Sequence, residues 1–264
     1  MAIPKVIHYC WFGKNPLPET AQKCIESWKK YFPDYEIKEW NEDNFDINAC
    51  DYIREAYQAK KWAFVSDYAR YKIIYDNGGV YFDTDVEVIK SFDDVINRGA
   101  FMGIEADYKT TVNTGLGIAA EKGNSFYREM LDYYEKEHFL NEDGSFNYTT
   151  VVERTTEVFK KHGLKRVDGV QQIEGIYVYP QDYFNPKDNV SGKINITENT
   201  YSIHHFDATW CSEEQLYSHK LSRKYSKFMS SKMAGRTACF VAECKYQGFF
   251  KAVKTLFRKI FRKR

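Results

Sequence analysis

Two aspartates only two residues apart, Asp83 and Asp85, are the side chains best placed to do chemistry in this sequence. Residues 78–88 around them alternate between apolar and polar types, which predicts a single β-strand. One predicted face carries Val80, Phe82, Val86 and Val88, and the other carries Tyr81, Asp83, Asp85 and Glu87. Neighbouring carboxylates repel each other unless a cation lies between them, and Mg²⁺ and Mn²⁺ prefer such oxygen ligands. The stretch therefore predicts either a cation site or a solvated acidic edge strand.

The segment directly before this strand carries a second pair of charges. Residues 62–77 have a broad apolar stripe that predicts a helix, which Gly78 and Gly79 end. Asp67 and Arg70 are three residues apart, so they share one face of this helix. By themselves they indicate an ordinary ion pair.

The elements that must position these residues follow a pattern typical of α/β proteins. An apolar run at 5–12, a helical pattern at 19–32 and an alternating run at 35–40 predict a βαβ unit. Further strands are predicted at 100–105, 175–179 and within 194–206, with further helices at 48–60, 126–138 and 150–162. The loop Asn113-Thr114-Gly115-Leu116-Gly117 lacks the G-x-G-x-x-G spacing, so no dinucleotide site is predicted there.

Composition narrows the class of protein. A chain of 264 residues that is 43% hydrophobic is long enough for one large domain. Six scattered cysteines without C-x-x-C spacing argue against a zinc ribbon or a disulfide framework and fit a reducing compartment. Neither a signal peptide nor an apolar run long enough to span a membrane is visible.

The tail has a different character from the rest of the chain. Net charge is +1, yet residues 245–264 hold eight Lys or Arg and no acid. Their apolar residues recur with helical spacing at Phe249, Phe250, Val253, Leu256, Phe257, Ile260 and Phe261. An apolar face opposite a purely basic face favours a helix lying on an anionic membrane surface over a helix bound to nucleic acid. A helix packed on its own protein or bound to a partner is the alternative. The predicted domains are a catalytic domain at 1–235 and a basic amphipathic tail at 236–264.

Four separated motifs, taken in order, resemble one enzyme family. They are Ile7-His8-Tyr9-Cys10-Trp11-Phe12-Gly13, then Ser66-Asp67-Tyr68-Ala69-Arg70, then Asn77 to Asp85, and finally His204-His205-Phe206 with Trp210. The set resembles the DXD-containing sugar transferases, namely the family 32 glycosyltransferases of capsule and yeast mannan synthesis, with distant relatives among the clostridial glucosylating toxins. The resemblance covers roughly residues 3–210. It implies a GT-A fold, a Rossmann-like α/β domain with a mixed central sheet, followed here by C-terminal helices.

The resemblance also implies roles for individual residues. Asp83 and Asp85, together with either His204 or His205, would hold Mn²⁺ or Mg²⁺, and His204 is favoured because it directly follows the apolar Ile203. The implied catalytic residues are Asp83, Asp85, Asp67 and Arg70, of which Asp67 and Arg70 would hold the donor. The implied donor contacts are Ile7, Trp11, Asp67, Arg70, Tyr81, Asp83, Asn113 and Trp210. Glu87 is expected to remain a surface carboxylate.

The implied reaction is transfer of a sugar from a nucleotide-sugar, with a UDP-sugar favoured, to a glycan acceptor. The expected partners are that donor, an acceptor that includes lipid-linked glycans, and an anionic membrane bound through residues 245–264, with no nucleic acid. Retention of anomeric configuration is implied by the family, as is a role in capsule or O-antigen assembly on the cytosolic membrane face. Two alternatives stay open: a haloacid-dehalogenase-like phosphatase using Asp83-Thr84-Asp85, and a sugar-binding pseudoenzyme or membrane scaffold.

Overall fold

The computed structural model describes residues 2–107, 109–188, 192–207 and 213–261. Its contacts group the chain into two compact units, one of residues 1–186 and 196–205, the other of residues 187–195 and 206–264. The predicted domain boundary at residue 235 stays a prediction. No helix within the described ranges is long and apolar enough to cross a bilayer.

The strands and helices of the first unit alternate along most of its length. Its strands are β1 Val6–Cys10, β2 Glu36–Trp40, β3 Gly79–Tyr81, β4 Val86–Val88, β5 Phe101–Ala106, β6 Thr111–Asn113, β7 Ile118–Ala120, β8 Gln171–Ile173, β9 Ile176–Tyr179 and β10 Ser202–His204. Its helices are α1 Glu19–Tyr31, α2 Asp51–Gln58, α3 Trp62–Asn77, α4 Asp93–Arg98, α5 Ser125–Tyr134, α6 Val151–Lys161 and α7 Gln181–Phe184. A short 3₁₀ turn, Thr114–Leu116, lies between β6 and β7.

The central sheet is mixed. Its strand order is β2-β1-β3-β7-β5-β9-β8, with β6 paired to β5. β1 runs parallel to β2 and to β3, whereas β7 is antiparallel to both of its neighbours, β3 and β5. The predicted βαβ unit at the start of the chain is thus confirmed, and so is the prediction of an α/β fold with a mixed central sheet.

The predicted continuous strand over residues 80–88 is wrong. The chain leaves the central sheet after Tyr81, turns through residues 82–85, and resumes as β4 in a separate two-stranded sheet with β10. The alternation of apolar residues is real, because Val80, Phe82, Val86 and Val88 are all buried. Because every second residue is buried on both sides of the turn, the sequence pattern could not reveal that the strand is interrupted.

Two contacts from α1 hold β4 away from the central sheet. The indole N–H of Trp28 donates to the Val86 carbonyl at 2.8 Å, and the Val88 N–H donates to the Ser27 hydroxyl at 2.9 Å. β4 then pairs antiparallel with β10, in a register that sets His204 opposite Val86. This pairing brings a segment more than 100 residues away in sequence next to Asp85.

Helix α3 is the element on which the site depends most. It matches its predicted bounds, and Gly78 at its C-cap has φ +68°, a conformation that favours glycine. Because α3 precedes β3 and packs on the sheet, its N-terminal turns lie at the edge where β3 ends. Asp67 and Arg70 therefore project towards the turn that carries Asp83.

The second unit consists mainly of helices α8 Glu213–Tyr225, α9 Ser231–Gln247 and α10 Phe249–Phe261. The predicted helical tail is confirmed as far as residue 261. At its start Phe249 is 61% exposed and Phe250 is 88% exposed, whereas Ala252 is buried. The described part of α10 thus combines exposed aromatic rings with the exposed Lys251 and Lys254.

Candidate active site

Arg70 joins three elements at the edge of the sheet. Its guanidinium is almost fully buried and lies 3.1 Å from Asp67 Oδ1 and 3.2 Å from Asp83 Oδ1. The same group donates to the Thr114 hydroxyl at 3.1 Å and to the Ser66 carbonyl at 3.1 Å. A second, longer bond of 3.4 Å reaches Asp83 Oδ2. Helix α3, the turn after β3 and the 3₁₀ turn are therefore fixed to one planar, permanently charged side chain.

Its Nε and Nη1 atoms donate hydrogen bonds to Ser66, Thr114 and Asp83, and its Nη2 atom forms ion pairs with Asp67 and Asp83. A diphosphate bound directly to Arg70 would compete with these carboxylates. Burial disfavours its charge, but the carboxylates of Asp83 and Asp67 outweigh that effect and raise the pKa of Arg70. Arg70 is thus a cation whose main partners are carboxylates of its own chain.

Asp83 is held from three sides. The Tyr81 hydroxyl donates to its Oδ1 at 2.8 Å, and Arg70 contacts both carboxylate oxygens. On the third side lies the backbone of Gly115, where a Cβ atom would come within 2.2 Å of Asp83 Oδ2. Tyr81 is 1% exposed, so it orients Asp83 and presents almost no surface of its own to a ligand. Position 115 accepts only glycine without displacing the carboxylate.

Asp85 and His204 complete a cluster with Asp83. The Nε2 atom of His204 lies 3.1 Å from Asp85 Oδ1, and one candidate ligand atom from each of the three residues lies within 4.8 Å of the others. Burial disfavours the imidazolium of His204, but the Asp85 carboxylate outweighs it and raises the pKa of His204. The backbone N–H of His205 donates to the Asp85 carbonyl at 2.9 Å, which secures the turn.

The two histidines therefore have different partners. His204 faces the aspartates, whereas the His205 ring bonds Glu87 Oε2 at 2.9 Å on the outer side of the β4–β10 pair. Glu87 remains a half-exposed carboxylate, as the sequence indicated.

The residues in the cluster fit a divalent cation. Two carboxylates and one imidazole supply oxygen and nitrogen ligands of the kind that Mn²⁺ accepts, and the carboxylates alone would suit Mg²⁺. Charge balance agrees, because Asp67, Asp83 and Asp85 carry three negative charges and Arg70 is the cation that forms ion pairs with two of them. A dication would neutralise the remaining two charges when His204 is neutral.

Asp67 is less exposed than Asp83 and Asp85, with 7% of its surface accessible. Burial raises its pKa to about 6 even though Arg70 favours the ionised form. The backbone N–H of Val151, the first residue of α6, acts in the opposite direction and lowers the pKa of Asp67. A helix N-terminus stabilises a carboxylate in this way.

His8 forms hydrogen bonds with two segments next to the site. The Trp40 indole donates to its Nδ1 at 3.0 Å, so its proton is on Nε2, which lies 3.0 Å from the Gly78 carbonyl. Burial lowers the pKa of His8 to about 4, which keeps the ring neutral. His8 thus links β1 and β2 to the junction between α3 and β3.

The remaining predicted donor contacts lie at different depths. Trp11 follows β1 at the same sheet edge, is partly exposed, and donates to the Asn15 carbonyl at 2.6 Å. Asn113 is buried and accepts the Gly115 N–H at 2.7 Å, so it shapes the 3₁₀ turn. The Ile7 side chain is fully buried between its neighbours in the sheet, and its contact with the donor stays a prediction. Trp210 lies outside the described residues.

Sequence reasoning missed several residues that build the site. Thr114 and Gly115 contact Arg70 and Asp83, yet the sequence of their loop gives no sign of these contacts. A small residue that lies against a carboxylate leaves no periodic signal. The role of His8 depends on its contact with Gly78, 70 residues later in the chain.

Comparison with known proteins gives these residues a context. Residues 18–102 match the family model described as the glycosyltransferase sugar-binding region containing the DXD motif. An uncharacterised glycosyltransferase of Acanthamoeba polyphaga mimivirus is 28% identical over 153 residues, covering 56% of this chain and 60% of the relative. Inositol phosphoceramide mannosyltransferase 3 of Schizosaccharomyces pombe is 30% identical over 166 residues, covering 60% and 44% respectively. The chain thus spans less than two thirds of the length of either relative.

Among solved structures, the PaToxG glycosyltransferase aligns over 96% of this chain and 87% of its own, with 15% identity and a TM-score of 0.47. The family match covers Asp67, Arg70, Asp83 and Asp85, and it confirms the resemblance drawn from the motifs. Residues 18–102 of this chain are thus similar to the DXD-containing sugar-binding region of the glycosyltransferases.

Proposed function

We propose that this protein is a metal-dependent glycosyltransferase of GT-A type that moves a sugar from a nucleotide-sugar to a glycan acceptor. The observation that carries the proposal is the cluster of Asp83, Asp85 and His204 next to the Arg70–Asp67 pair, at the edge where β1 and β3 end. The family match over residues 18–102 supports the same reaction class.

The charges of the cluster fit a diphosphate donor only if a cation is bound. A nucleotide-sugar brings about two negative charges, which two carboxylates would repel. Held by Asp83, Asp85 and His204, Mn²⁺ or Mg²⁺ would supply the positive charge that stabilises the departing diphosphate. The presence of His204 favours Mn²⁺, because imidazole is a better ligand for Mn²⁺ than for Mg²⁺.

The protein's own residues then orient the donor. Asp67 lies one helical turn before Arg70 on α3. Its carboxylate can accept hydrogen bonds from the hydroxyl groups of a sugar. Trp11 is partly exposed at the end of β1, where it suits stacking against a base, and we favour a UDP-sugar. We propose retention of configuration, with the diphosphate taking the acceptor proton.

The acceptor we propose is a glycan, including a lipid-linked one of capsule or O-antigen assembly, reached at the cytosolic face of a membrane. Support comes from the second unit, in which Phe249 and Phe250 are exposed beside Lys251 and Lys254. Exposed aromatic rings beside lysines suit the interface of an anionic membrane.

The proposal is tested by hydrolysis and transfer assays with a panel of UDP-, GDP- and other nucleotide-sugars, with Mn²⁺, with Mg²⁺ and with chelator. We expect turnover of one donor with a metal ion and none with chelator. Asp85→Asn should abolish turnover, whereas Glu87→Gln should keep it, because Glu87 bonds His205 outside the cluster. Full activity in chelator, or in folded Asp85→Asn, would overturn the metal-dependent mechanism.

The same panel separates the alternatives. Release of phosphate from generic monoesters would favour the phosphatase, in which Asp83 would act as the nucleophile. Against that reading, both Asp83 oxygens are engaged by Arg70 and one also by Tyr81. Tight nucleotide-sugar binding without turnover would favour the pseudoenzyme. Against that reading, Asp83, Asp85 and His204 are all present.

A further inference from the structure

We propose that Tyr148 and Lys61 form the acceptor subsite, with the Tyr148 ring packed against a pyranose and the Lys61 ammonium beside an anionic group of that sugar. The anionic group is a carboxylate or a phosphate. This inference rests on the proposed function, because it assigns both residues to the acceptor of the transfer reaction. Neither residue belongs to the motifs from which the site was predicted.

Tyr148 combines an exposed side chain with a fixed backbone. The residue is 56% exposed. Just before it, the Asn147 N–H donates to the Phe139 carbonyl at 2.8 Å, and just after it the Thr149 N–H donates to Asn147 Oδ1 at 3.1 Å. The Thr149 carbonyl accepts from the completely buried Arg154 side chain. Because the chain is anchored on both sides of Tyr148, little entropy is lost when a ligand binds to its ring.

The Tyr148 ring is itself held by three other aromatic rings. Its centre lies 5.8 Å from that of Phe64, 5.9 Å from that of Phe146 and 6.3 Å from that of Phe139. Phe64 and Phe139 are buried, so one side of Tyr148 packs on the core and the rest meets solvent. The exposed face of an aromatic ring carries partial negative charge, and the C–H groups of a pyranose pack well against such a face.

A cation lies beside the same rings. The Lys61 ammonium is 5.9 Å from the centre of the Tyr148 ring and 5.7 Å from that of Phe146. Lys14 and Lys72, also in the first unit, are paired with aspartates. Lys61, in contrast, forms no ion pair within the ranges that the structure describes. Its charge is therefore available to an anionic group of a ligand.

This surface is continuous with the candidate active site through α3. Phe64, which contacts Tyr148, is three residues before Asp67, so the two share one face of the helix. Adding about 4.5 Å of helical rise to the ring spacing sets the Tyr148 ring on the order of 10 Å from Asp67. A sugar bound on Tyr148 would thus be a neighbour of the donor sugar that we assign to Asp67.

The two residues select for different parts of the acceptor. Tyr148 requires the apolar face of a pyranose and supplies most of the contact. Lys61 adds a preference for a charged sugar, and because ion pairs near the surface are weak, we expect a preference of severalfold only. A hexuronic acid and a sugar phosphate share this chemistry, and the test distinguishes them.

The inference is tested by NMR titration of the full chain with three sets of sugars. They are methyl glycosides of glucose, galactose and mannose, methyl glycosides of the corresponding uronic acids, and the hexose 1-phosphates. The variants are Tyr148→Ala, Tyr148→Phe and Lys61→Met, with Tyr31→Ala as the matched control. Tyr31 is also partly exposed with a lysine over its ring, at 4.7 Å, but it ends α1 at the sheet edge where β2 begins.

We expect the wild-type protein to bind a charged sugar about fivefold more tightly than its neutral counterpart, with this preference lost in Lys61→Met and at high salt. Tyr148→Ala should weaken the binding of every sugar about tenfold, whereas Tyr148→Phe should keep it within about twofold. Tyr31→Ala should bind as the wild type does. The sugar that binds best, offered together with the donor found by the panel, should yield a transfer product.

Four outcomes would overturn the inference: no sugar bound by the wild type, equal binding of charged and neutral sugars, equal effects of Tyr148→Ala and Tyr31→Ala, or binding without a transfer product. Each of them leaves the proposed function intact as long as the wild type turns over a nucleotide-sugar. A wild-type protein that turns over no nucleotide-sugar would instead refute the proposed function, and the acceptor role with it.

Discussion

Replacing Gly115 by alanine tests how the cluster of Asp83, Asp85 and His204 is built. The new methyl group would lie 2.2 Å from Asp83 Oδ2, whereas ordinary contacts begin near 3.4 Å. The carboxylate would have to retreat by about 1 Å. It cannot do so freely, because Arg70 and Tyr81 hold it from the other sides.

A misplacement of about 1 Å at a catalytic centre costs about 100-fold in rate, which corresponds to about 2.7 kcal/mol of transition-state stabilisation. We therefore expect Gly115→Ala to lower metal-dependent turnover of the nucleotide-sugar about 100-fold and to weaken Mn²⁺ binding measured by calorimetry. The fold should persist, because the turn at Gly115 has no positive φ that would strain an alanine.

The matched control is Gly235→Ala. Gly235 lies inside α9, where the nearest atom to a new Cβ is 3.9 Å away, and alanine favours a helix. This variant should be fully active and slightly more stable. Wild-type turnover and Mn²⁺ affinity in folded Gly115→Ala would refute the argument that Asp83 is fixed by close backbone packing.

Three further predictions follow from the same contacts. Because burial lowers the pKa of His8 to about 4, the unfolded chain binds the extra proton between pH 6.5 and 4. Urea unfolding should therefore show that the free energy of unfolding decreases as the pH is lowered from 6.5 to 4, by up to about 3 kcal/mol from His8 alone. The decrease should be smaller in His8→Gln. Arg70→Lys should lose most activity, because an ammonium cannot reproduce the planar set of hydrogen bonds and ion pairs that joins Ser66, Thr114, Asp67 and Asp83; activity near wild type would contradict this. Deleting residues 245–264 should release the protein from anionic vesicles but leave donor hydrolysis unchanged, and sedimentation with phosphatidylserine vesicles measures the first effect; unchanged binding would remove the proposed role of the tail.

Four residues of the site could be predicted because the members of each pair are close together in the sequence. Asp67 and Arg70 share a helix face through their spacing, and Asp83 and Asp85 flank a single residue. Helix α3 and the glycines that end it are equally local features, so their bounds were predicted closely. The resemblance to a known family added order to motifs that would each be weak alone.

The second half depends on contacts between distant segments. No feature of the sequence places either histidine next to the aspartates. The register of β10 against β4 is what sets His204 beside Asp85. The break in the predicted strand at residues 82–85 was invisible because buried and exposed positions still alternate through the turn.

The sequence by itself determined the α/β class, helix α3 with its two charged residues, and the pair of aspartates that a cation would join. These follow from periodicity and spacing over a few residues. Only the tertiary structure decided that Arg70 contacts Asp67, Asp83 and Thr114 together, that Gly115 lies against Asp83, and that His204 lies beside Asp85. The physical reason is that hydrogen bonds and close contacts depend on distances of a few ångströms between segments that only folding brings together.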